Sequence, residues 1–584
     1  MGRMYLNIIH RADRGKARLD ALKFMQDEVH RFGFKTTILL SYQGLSDDGA
    51  VQYSKEQADE YGDELGIHLQ ELNCEEFFEK HNTKETAFFM LPMEKKKAIL
   101  TDMMERFFNC FGCFPSAVGA YILDAATITF LKEAYPQVRV CITNCFEEGI
   151  NMFHGNNHSW ALFSDGGPWG AYYPSKACHL VPAKDENDDI GIVGLPHLNR
   201  DMLMSIISRD DLFSSHPANL LRAKIADGDR CRYMYDFIDQ WIKQTDYNEC
   251  VYYSLFVSTP WVMENGSQFE STDVCSRSLY SQCIAYLKKK EEEGLVTAMT
   301  MSEFACHYRT NIKHGGAEIN LWQDILCGSK RQIFWYCDPY MRVALDPNIG
   351  GTITDLRPYV GRIPVNIGSD TKLLWNGNYP FSISIEHRGG MWNGPYHTLV
   401  AGCNGHTAAI YDKRTRCNVS FDEKGCPVVE FLPVTLKLGG TFATVESRAL
   451  FPGKGEIIFE RHVTDIIGEC DSIILTETHR GTYGTTEYQE NMKGIKLKLY
   501  NKQNELCHSI IYNYETRQII TDEPGAAAVE IPRMNVRTEL IPMDGADSGE
   551  IEEGCLFAPN YFLRISKKVK KGGKLTVCLK MTAL

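Results

Sequence analysis

The 584-residue sequence has no stretch approaching the roughly 18 consecutive apolar residues that cross a bilayer. A membrane is therefore not an expected partner. Basic runs are also missing, apart from Lys567-Lys568 and Lys570-Lys571, and the net charge is −13. That balance argues against nucleic acid, whose binders cluster Lys and Arg on one face. The lysine pairs read instead as a solvated hairpin edge. Met1–Ile9 lacks the long apolar core and small-residue cleavage site of an export signal. Leu6 stands where a myristoylation signal needs Ser or Thr. The 20 cysteines show no paired spacing, so with no export signal they are expected as free thiols in a cytoplasmic protein. Cys110 and Cys113 form one CxxC behind a helical run, a setting for small buried hydrophobes rather than a redox or zinc pair. Fixed-period repeats and low-complexity segments are absent too.

What is present is a strand–helix alternation followed by a change of texture. Short apolar runs at Leu6–His10, Thr36–Tyr42, Glu64–His68, Ala117–Tyr121, Val138–Thr143, Val251–Thr259 and Val296–Met299 read as strands. Helical spacing separates most of them, as in Leu19, Leu22, Met25, Gln26 and Val29, or Leu100, Met103, Met104, Phe107, Phe108 and Phe111. An aromatic and glycine-rich excursion runs from Asn144 to about Pro196. Seven or so strands in this alternation imply an α/β fold with a parallel (β/α)7 barrel. After about Trp322 helical spacing fades. Runs such as Val428–Leu432, Ile457–Phe459, Ile473–Thr478, Ile495–Tyr500 and Leu575–Leu579 lie between Gly, Asn and Asp turns, the pattern of an all-β sandwich. The expected domains are a barrel over 1–325 and a sandwich over 326–584.

In parallel barrels the groups that do chemistry project from the carboxyl ends of the strands. His10 and Asp13 follow the first strand, with Arg11 and Arg14 supplying positive charge beside the carboxylate. Asp13 is also placed to cap the helix that follows, and His10 to bond a backbone carbonyl. His68 ends the third strand, and Glu71 stands three residues on. Asp124 follows Val118–Leu123 and reads both as a helix N-cap and as a rim carboxylate. Glu264 follows the Val251–Thr259 strand, near Trp261. Trp169 and Tyr173 lie among glycines in the excursion, where they either pack the loop or present faces on which sugar rings stack. Paired carboxylates with aromatic walls are what cleavage of a glycosidic bond requires. The catalytic candidates are Asp13, Asp124, Glu71 and Glu264, with Asp13 and Asp124 the favoured pair. The substrate-binding candidates are His10, Arg14, His68, Trp169, Tyr173 and Trp261.

These stretches resemble the polysaccharide deacetylase (NodB-like) superfamily and the (β/α)7 glycoside hydrolases of the α-mannosidase and amylopullulanase type, which carry a C-terminal β-sandwich. Arg11-Ala12-Asp13-Arg14-Gly15 meets the deacetylase pattern T-F-D-D-G, and His68-Leu69-Gln70-Glu71-Leu72 meets H-[ST]-x-x-H. On that match Asp13 falls on the family's catalytic base and His68 on its first metal ligand. Arg14 and Leu72 replace the other two ligands. Pro115–Asp124, with Tyr172–Ser175, is similar to a bacterial family of carbohydrate-active proteins. The resemblance implies a NodB-like barrel acting on an oligosaccharide or glycoside. It implies first a glycoside hydrolase that needs no cofactor. The alternatives are a deacetylase using a divalent metal such as zinc, held by a shifted set of His10, Asp13 and His68, and a non-catalytic sugar-binding protein on a degenerate barrel.

Overall fold

The computed structural model describes residues 2–144, 166–207, 212–225, 231–263, 276–364, 379–383, 396–482, 494–513, 517–522, 525–554 and 560–584. The chain divides into two compact units. Met1–Glu318 makes the first, and Ile319–Ile363 with Tyr379–Leu584 makes most of the second.

The first unit is a parallel, nearly closed barrel. Its strands are β1 (Arg3–Ala12), β2 (Thr37–Ser41), β3 (Glu64–His68), β4 (Ala117–Gly119), β5 (Val140–Asn144), β6 (Val193–Pro196), β7 (Cys250–Ser258) and β8 (Val296–Ala298). They run in the order β6-β5-β4-β3-β2-β1-β7, and β8 pairs with the first half of β1. The helices are α1 (Lys16–Arg31), α2 (Asp48–Tyr61), α3 (Glu75–His81), α4 (Met93–Phe111), α5 (Ala125–Ala134), α6 (Met204–Ile207), α7 (Pro217–Arg222), α8 (Arg232–Lys243), α9 (Ser276–Glu292) and α10 (Met301–Asn311). The strands are buried on both faces, which is why they read as continuous apolar runs. Ile9, Leu39, Val140, Leu195 and Phe256 fill the bore.

Helix α10 crosses the amino-terminal end of the bore. Thr300 and Glu303 cap it reciprocally. Its first N–H groups donate to side chains at the starts of β2 and β3, Met301 to Thr37 Oγ1 (2.9 Å) and Ser302 to Glu64 Oε2 (3.0 Å). The opposite, carboxyl end carries His68, Asn144 and Asp13.

Among the described residues no main-chain rungs join β6 to β7. A side chain bridges the gap instead. Asn199 Nδ2 donates to the Tyr252 carbonyl (2.9 Å), and Asn199 Oδ1 accepts from the Ser254 N–H (2.6 Å). The amide thus imitates a peptide group between the two edge strands. Ser254 Oγ adds a bond to the His197 carbonyl (3.0 Å). Both Asn199 and Ser254 are fully buried, so each donor and acceptor left unmade there would cost about 1–3 kcal/mol.

The second unit holds two antiparallel sheets, of ten and nine strands. Alternation is clear in Thr441–Gly453, where every second residue is covered, and in Val434–Leu438 beyond the register shift at Phe431. Arg461 lies on a strand of the nine-stranded sheet and Glu477 on one of the ten-stranded sheet. Their side chains form a two-point pair (3.0 and 2.8 Å), and His397 Nε2 lies 2.8 Å from the same carboxylate. Burial alone would raise the Glu477 pKa, but Arg461 and His397 hold it down at about 2. This buried ionic knot fastens the two sheets of the unit to each other.

β6 lies inside the stretch read from the sequence as one long excursion. Gly191, Gly194 and Pro196 break its apolar run, and main-chain pairing to β5 overrides that composition. The expectation that all cysteines are free thiols is corrected: Cys403 and Cys470 are disulfide-bonded, while the other cysteines among the described residues are free. No helix among the described residues is long and apolar enough to cross a membrane.

Candidate active site at the carboxyl end of the barrel

Alternation along β1 decides which of its last residues can meet a ligand. Ile9 points into the bore and Arg11 follows it two residues on, whereas His10 points outward into the helix layer. The Arg11 guanidinium organises the rim. Its Nε donates to Asp13 Oδ1 (2.8 Å), and its Nη2 donates to Asp13 Oδ2 and to Glu71 Oε1 (both 3.1 Å). Its Nη1 donates to Gln70 Oε1. Burial alone would lower the Arg11 pKa, but the Asp13 and Glu71 charges push it up, so the guanidinium stays protonated. Asp13 also accepts from Thr259 Oγ1 (2.7 Å) and Arg18 Nη1 (3.3 Å), and it is 2% exposed. With two guanidinium groups and a hydroxyl upon it, Asp13 has little capacity left for a substrate.

Glu71 differs. Its side chain is 29% exposed and is tied to Arg11 alone among the ion pairs of the rim. Its backbone sits at φ +56°, the left-handed region that costs a non-glycine residue about 1 kcal/mol or more. Because Asp13 Oδ2 and Glu71 Oε1 share one nitrogen at 3.1 Å each, they are no more than about 6.2 Å apart. Arg11 stands between them and donates to both.

His68 ends β3 with its ring fully buried, and neither ring nitrogen has a hydrogen-bond partner among the described residues. Gly119 on β4 makes room for it: a Cβ there would stand 2.5 Å from His68 Cδ2. Phe256, Tyr121 and His197 surround the imidazole at ring-centre distances of 5.4, 6.1 and 6.5 Å. Burial, then the Arg11 charge, then His197 drive its pKa well below the usual histidine value, so the ring is neutral. His197 is neutral for the same kind of reason, burial first, then His216 and Arg11. Asn144, at the end of β5, is another buried side chain with no partner among the described residues.

A cavity of about 230 Å³ opens beside this group. Gln70, Glu71 and Tyr121 give it polar edges, and Phe88, Phe89 and Ile122 give it an apolar wall. It is smaller than the roughly 300–1,000 Å³ of a drug-sized site, so it suits one small ring rather than an extended chain.

The other candidates from the sequence lie as follows. Asp124 caps α5 through the Thr127 N–H (2.8 Å) and pairs with Lys96. Burial opposes it, but Lys96 and that N–H hold its pKa below the usual carboxylate value, so it is ionised and occupied. It does not line the cavity. His10 Nε2 lies 2.6 Å from the Tyr280 hydroxyl of α9, so its assignment to substrate is corrected: it belongs to the strand–helix interface. Arg14 is exposed, and the position expected for it beside Asp13 is taken by Arg11 and Arg18. Trp169 is 1% exposed, and its backbone N–H donates to Glu318 Oε2 (3.0 Å). Tyr173 packs on α10 at the amino-terminal end, its hydroxyl donating to the carbonyls of Tyr308 and Ile312. The aromatic wall expected from Trp169 and Tyr173 is therefore supplied by Phe88, Phe89 and Tyr121. Trp261 lies half-buried after β7 against His216 (5.3 Å between ring centres). Glu264 lies outside the described residues.

A shifted metal site of His10, Asp13 and His68 is not assembled. His10 faces the helices, Asp13 is engaged by two guanidinium groups, and Arg11 brings positive charge to His68. No set of three or more His, Cys, Asp or Glu among the described residues could hold a metal ion.

Neither the protein-family models nor the curated proteins yield a match to this sequence. Among solved structures, a candidate glycoside hydrolase/deacetylase from Parabacteroides distasonis is similar over 61% of this chain and 85% of its own, at 14% identity and a TM-score of 0.46. The 4-α-glucanotransferase of Thermococcus litoralis spans 100% of both chains at 8% identity and a TM-score of 0.30. A galactose mutarotase-like protein from Clostridium acetobutylicum covers 46% of this chain and 99% of its own, at 8% identity and a TM-score of 0.30. Likenesses at this level carry no argument about the chemistry.

Proposed function

We propose that the barrel unit is a carbohydrate-active hydrolase that cleaves a glycosidic bond at the carboxyl end of the strands, with Glu71 as its working carboxylate. The observation that carries this reading is the contrast between two carboxylates on one guanidinium. Asp13 is saturated and buried, whereas Glu71 is oriented by Arg11, partly exposed and on the cavity wall. An ionised, oriented carboxylate either attacks the anomeric carbon or takes a proton from water. Phe88, Phe89 and Tyr121 offer the apolar face of a sugar ring a surface. Gln70 and Asn73 offer its hydroxyl groups polar partners. Asp13 and Arg11 act as positioning residues. Such a reaction also needs a protonated acid. Asp124 is held as an anion by Lys96, which leaves it unsuited to that role, and Glu264 is the carboxyl group that the sequence offers for it.

The test is turnover on a panel of aryl glycosides and reduced oligosaccharides by the wild-type chain and by Glu71→Gln. Loss of a positioned acid–base group costs on the order of 10²–10⁴-fold. Turnover by wild type that falls by that amount in E71Q, with an unchanged melting temperature, supports the proposal. Full activity in E71Q rejects the role of Glu71. Glycan binding without turnover by wild type rejects the hydrolase.

A further inference from the structure

The second unit has a feature that the barrel site does not use. A groove of about 580 Å³ lies between the loop that carries Ser329–Arg331 and the extended stretch Arg414–Arg416. Lys330, Arg331, Arg414 and Arg416 all line it. Arg414 and Arg416, two residues apart, present their side chains to the same side. Two carboxylates lie near. Asp346 is fully buried and is bonded to Arg331 Nη2 (3.1 Å) and the Asn348 N–H (2.9 Å). Asp324 accepts the N–H groups of Leu326, Cys327 and Ser329 and the Ser329 hydroxyl. Neither is free to neutralise the other cations. Lys330, Arg414 and Arg416 make no ion pair among the described residues. Arg331 Nε is buried with no hydrogen-bond partner there. A protein of net charge −13 thus concentrates uncompensated positive charge in one concave place.

We propose that this groove binds an anionic sugar chain, one bearing carboxylate or sulfate groups along it. Guanidinium groups match such oxyanions by paired N–H donors. Ser329 and Asn348, also in the lining, supply neutral polar groups suited to sugar hydroxyls. Among the described residues no aromatic ring lines the groove, and the stacking on which single-stranded nucleic acids rely is not offered by them. The choice of a sugar over an acidic peptide rests on the function proposed above. The groove then holds an acidic polymer of the kind whose bonds the barrel unit opens.

The experiment is isothermal titration of the full chain with trigalacturonate, galactotriose, a short poly-glutamate peptide and inorganic sulfate, at low salt and at 0.5 M NaCl, that is, with a Debye length of roughly 4 Å. The expected result is binding of trigalacturonate that weakens at least tenfold in high salt and at least tenfold in Arg414→Gln/Arg416→Gln. These side chains are on the surface, and an unchanged thermal melt confirms that the double variant is folded. Glu71→Gln is expected to bind as wild type does. Equal binding of galactotriose, or unchanged binding in the double variant, overturns the proposal. Tighter binding of the peptide replaces the sugar with an acidic protein partner, and equal binding of sulfate reduces the groove to a point-anion site. Trigalacturonate binding in a chain with no glycosidase turnover leaves the groove standing and removes only the hydrolase.

Discussion

Replacing Arg11 with Met removes the guanidinium while keeping most of the side chain's apolar stem. Asp13, 2% exposed, then retains only the Arg18 contact at 3.3 Å and the Thr259 hydroxyl at 2.7 Å. Taking one partner from a buried ion pair costs about 3–5 kcal/mol, because the other charge is left in a poor solvent. The two surviving contacts put Arg11→Met at the lower end, about 3 kcal/mol. Glu71 adds little, since its exposed side is already solvated. At about 2.1 cal/mol/K per residue, a unit of this length shifts its midpoint by roughly 1.5 °C per kcal/mol, so the barrel transition should fall by about 4–5 °C. Differential scanning calorimetry of the full chain at pH 7 reads that transition separately from the second unit's if the two unfold independently. Asp13→Asn added to Arg11→Met removes the stranded charge, and the double variant should recover about 1–2 kcal/mol relative to Arg11→Met alone. A single variant that melts with wild type, or a double variant no more stable than the single, refutes the view that Arg11 is there to hold Asp13.

Gly119→Ala should destabilise the barrel by about 1–3 kcal/mol through overpacking against the His68 ring. His68→Ala in the same background should relieve that strain, and urea midpoints of the two variants check it. Acid should weaken the barrel well before carboxylates titrate. Burial lowers the His10 pKa from 6.5 to about 3 and the His179 pKa to about 4, with smaller electrostatic contributions. The folded state thus binds these protons less well than the unfolded chain. Stability from the two is complete above pH 6.5 and is lost as pH falls toward 4. At about 1.4 kcal/mol per unit per group, the loss reaches about 4 kcal/mol by pH 5. A urea midpoint that does not change between pH 7 and pH 5 would contradict this.

The barrel was legible in the sequence because strands buried on both faces must be apolar throughout and their crossover helices must be amphipathic. β3 falls on Glu64–His68 as expected, and α4, Met93–Phe111, carries the apolar spacing that begins at Leu100. β6 was not legible, since Gly and Pro hide a strand whose pairing is set by its neighbour. His197 was lost with it, although it stands just past the carboxyl end of that strand. The carboxylates at Asp13 and Glu71 could be named from their places after strands. Their division of labour could not, because it depends on which residues Arg11 reaches, and Gln70 and Glu71 lie about 60 positions away. The direction of His10 was decided by strand parity alone. One residue's shift separates a ligand-facing group from one packed on Tyr280.

The amide of Asn199 gives the cylinder a slit. Elsewhere around the wall, separating two staves means breaking a row of main-chain rungs together. Between β6 and β7 it means releasing one side chain and the serine beside it. The bore should therefore widen along that line first. Phe256 and His197 flank the slit, while His68 stands at the middle of the ladder, on β3. Phe256 and His197, with ring centres 5.4 and 6.5 Å from His68, are therefore the neighbours of the imidazole that such widening would displace.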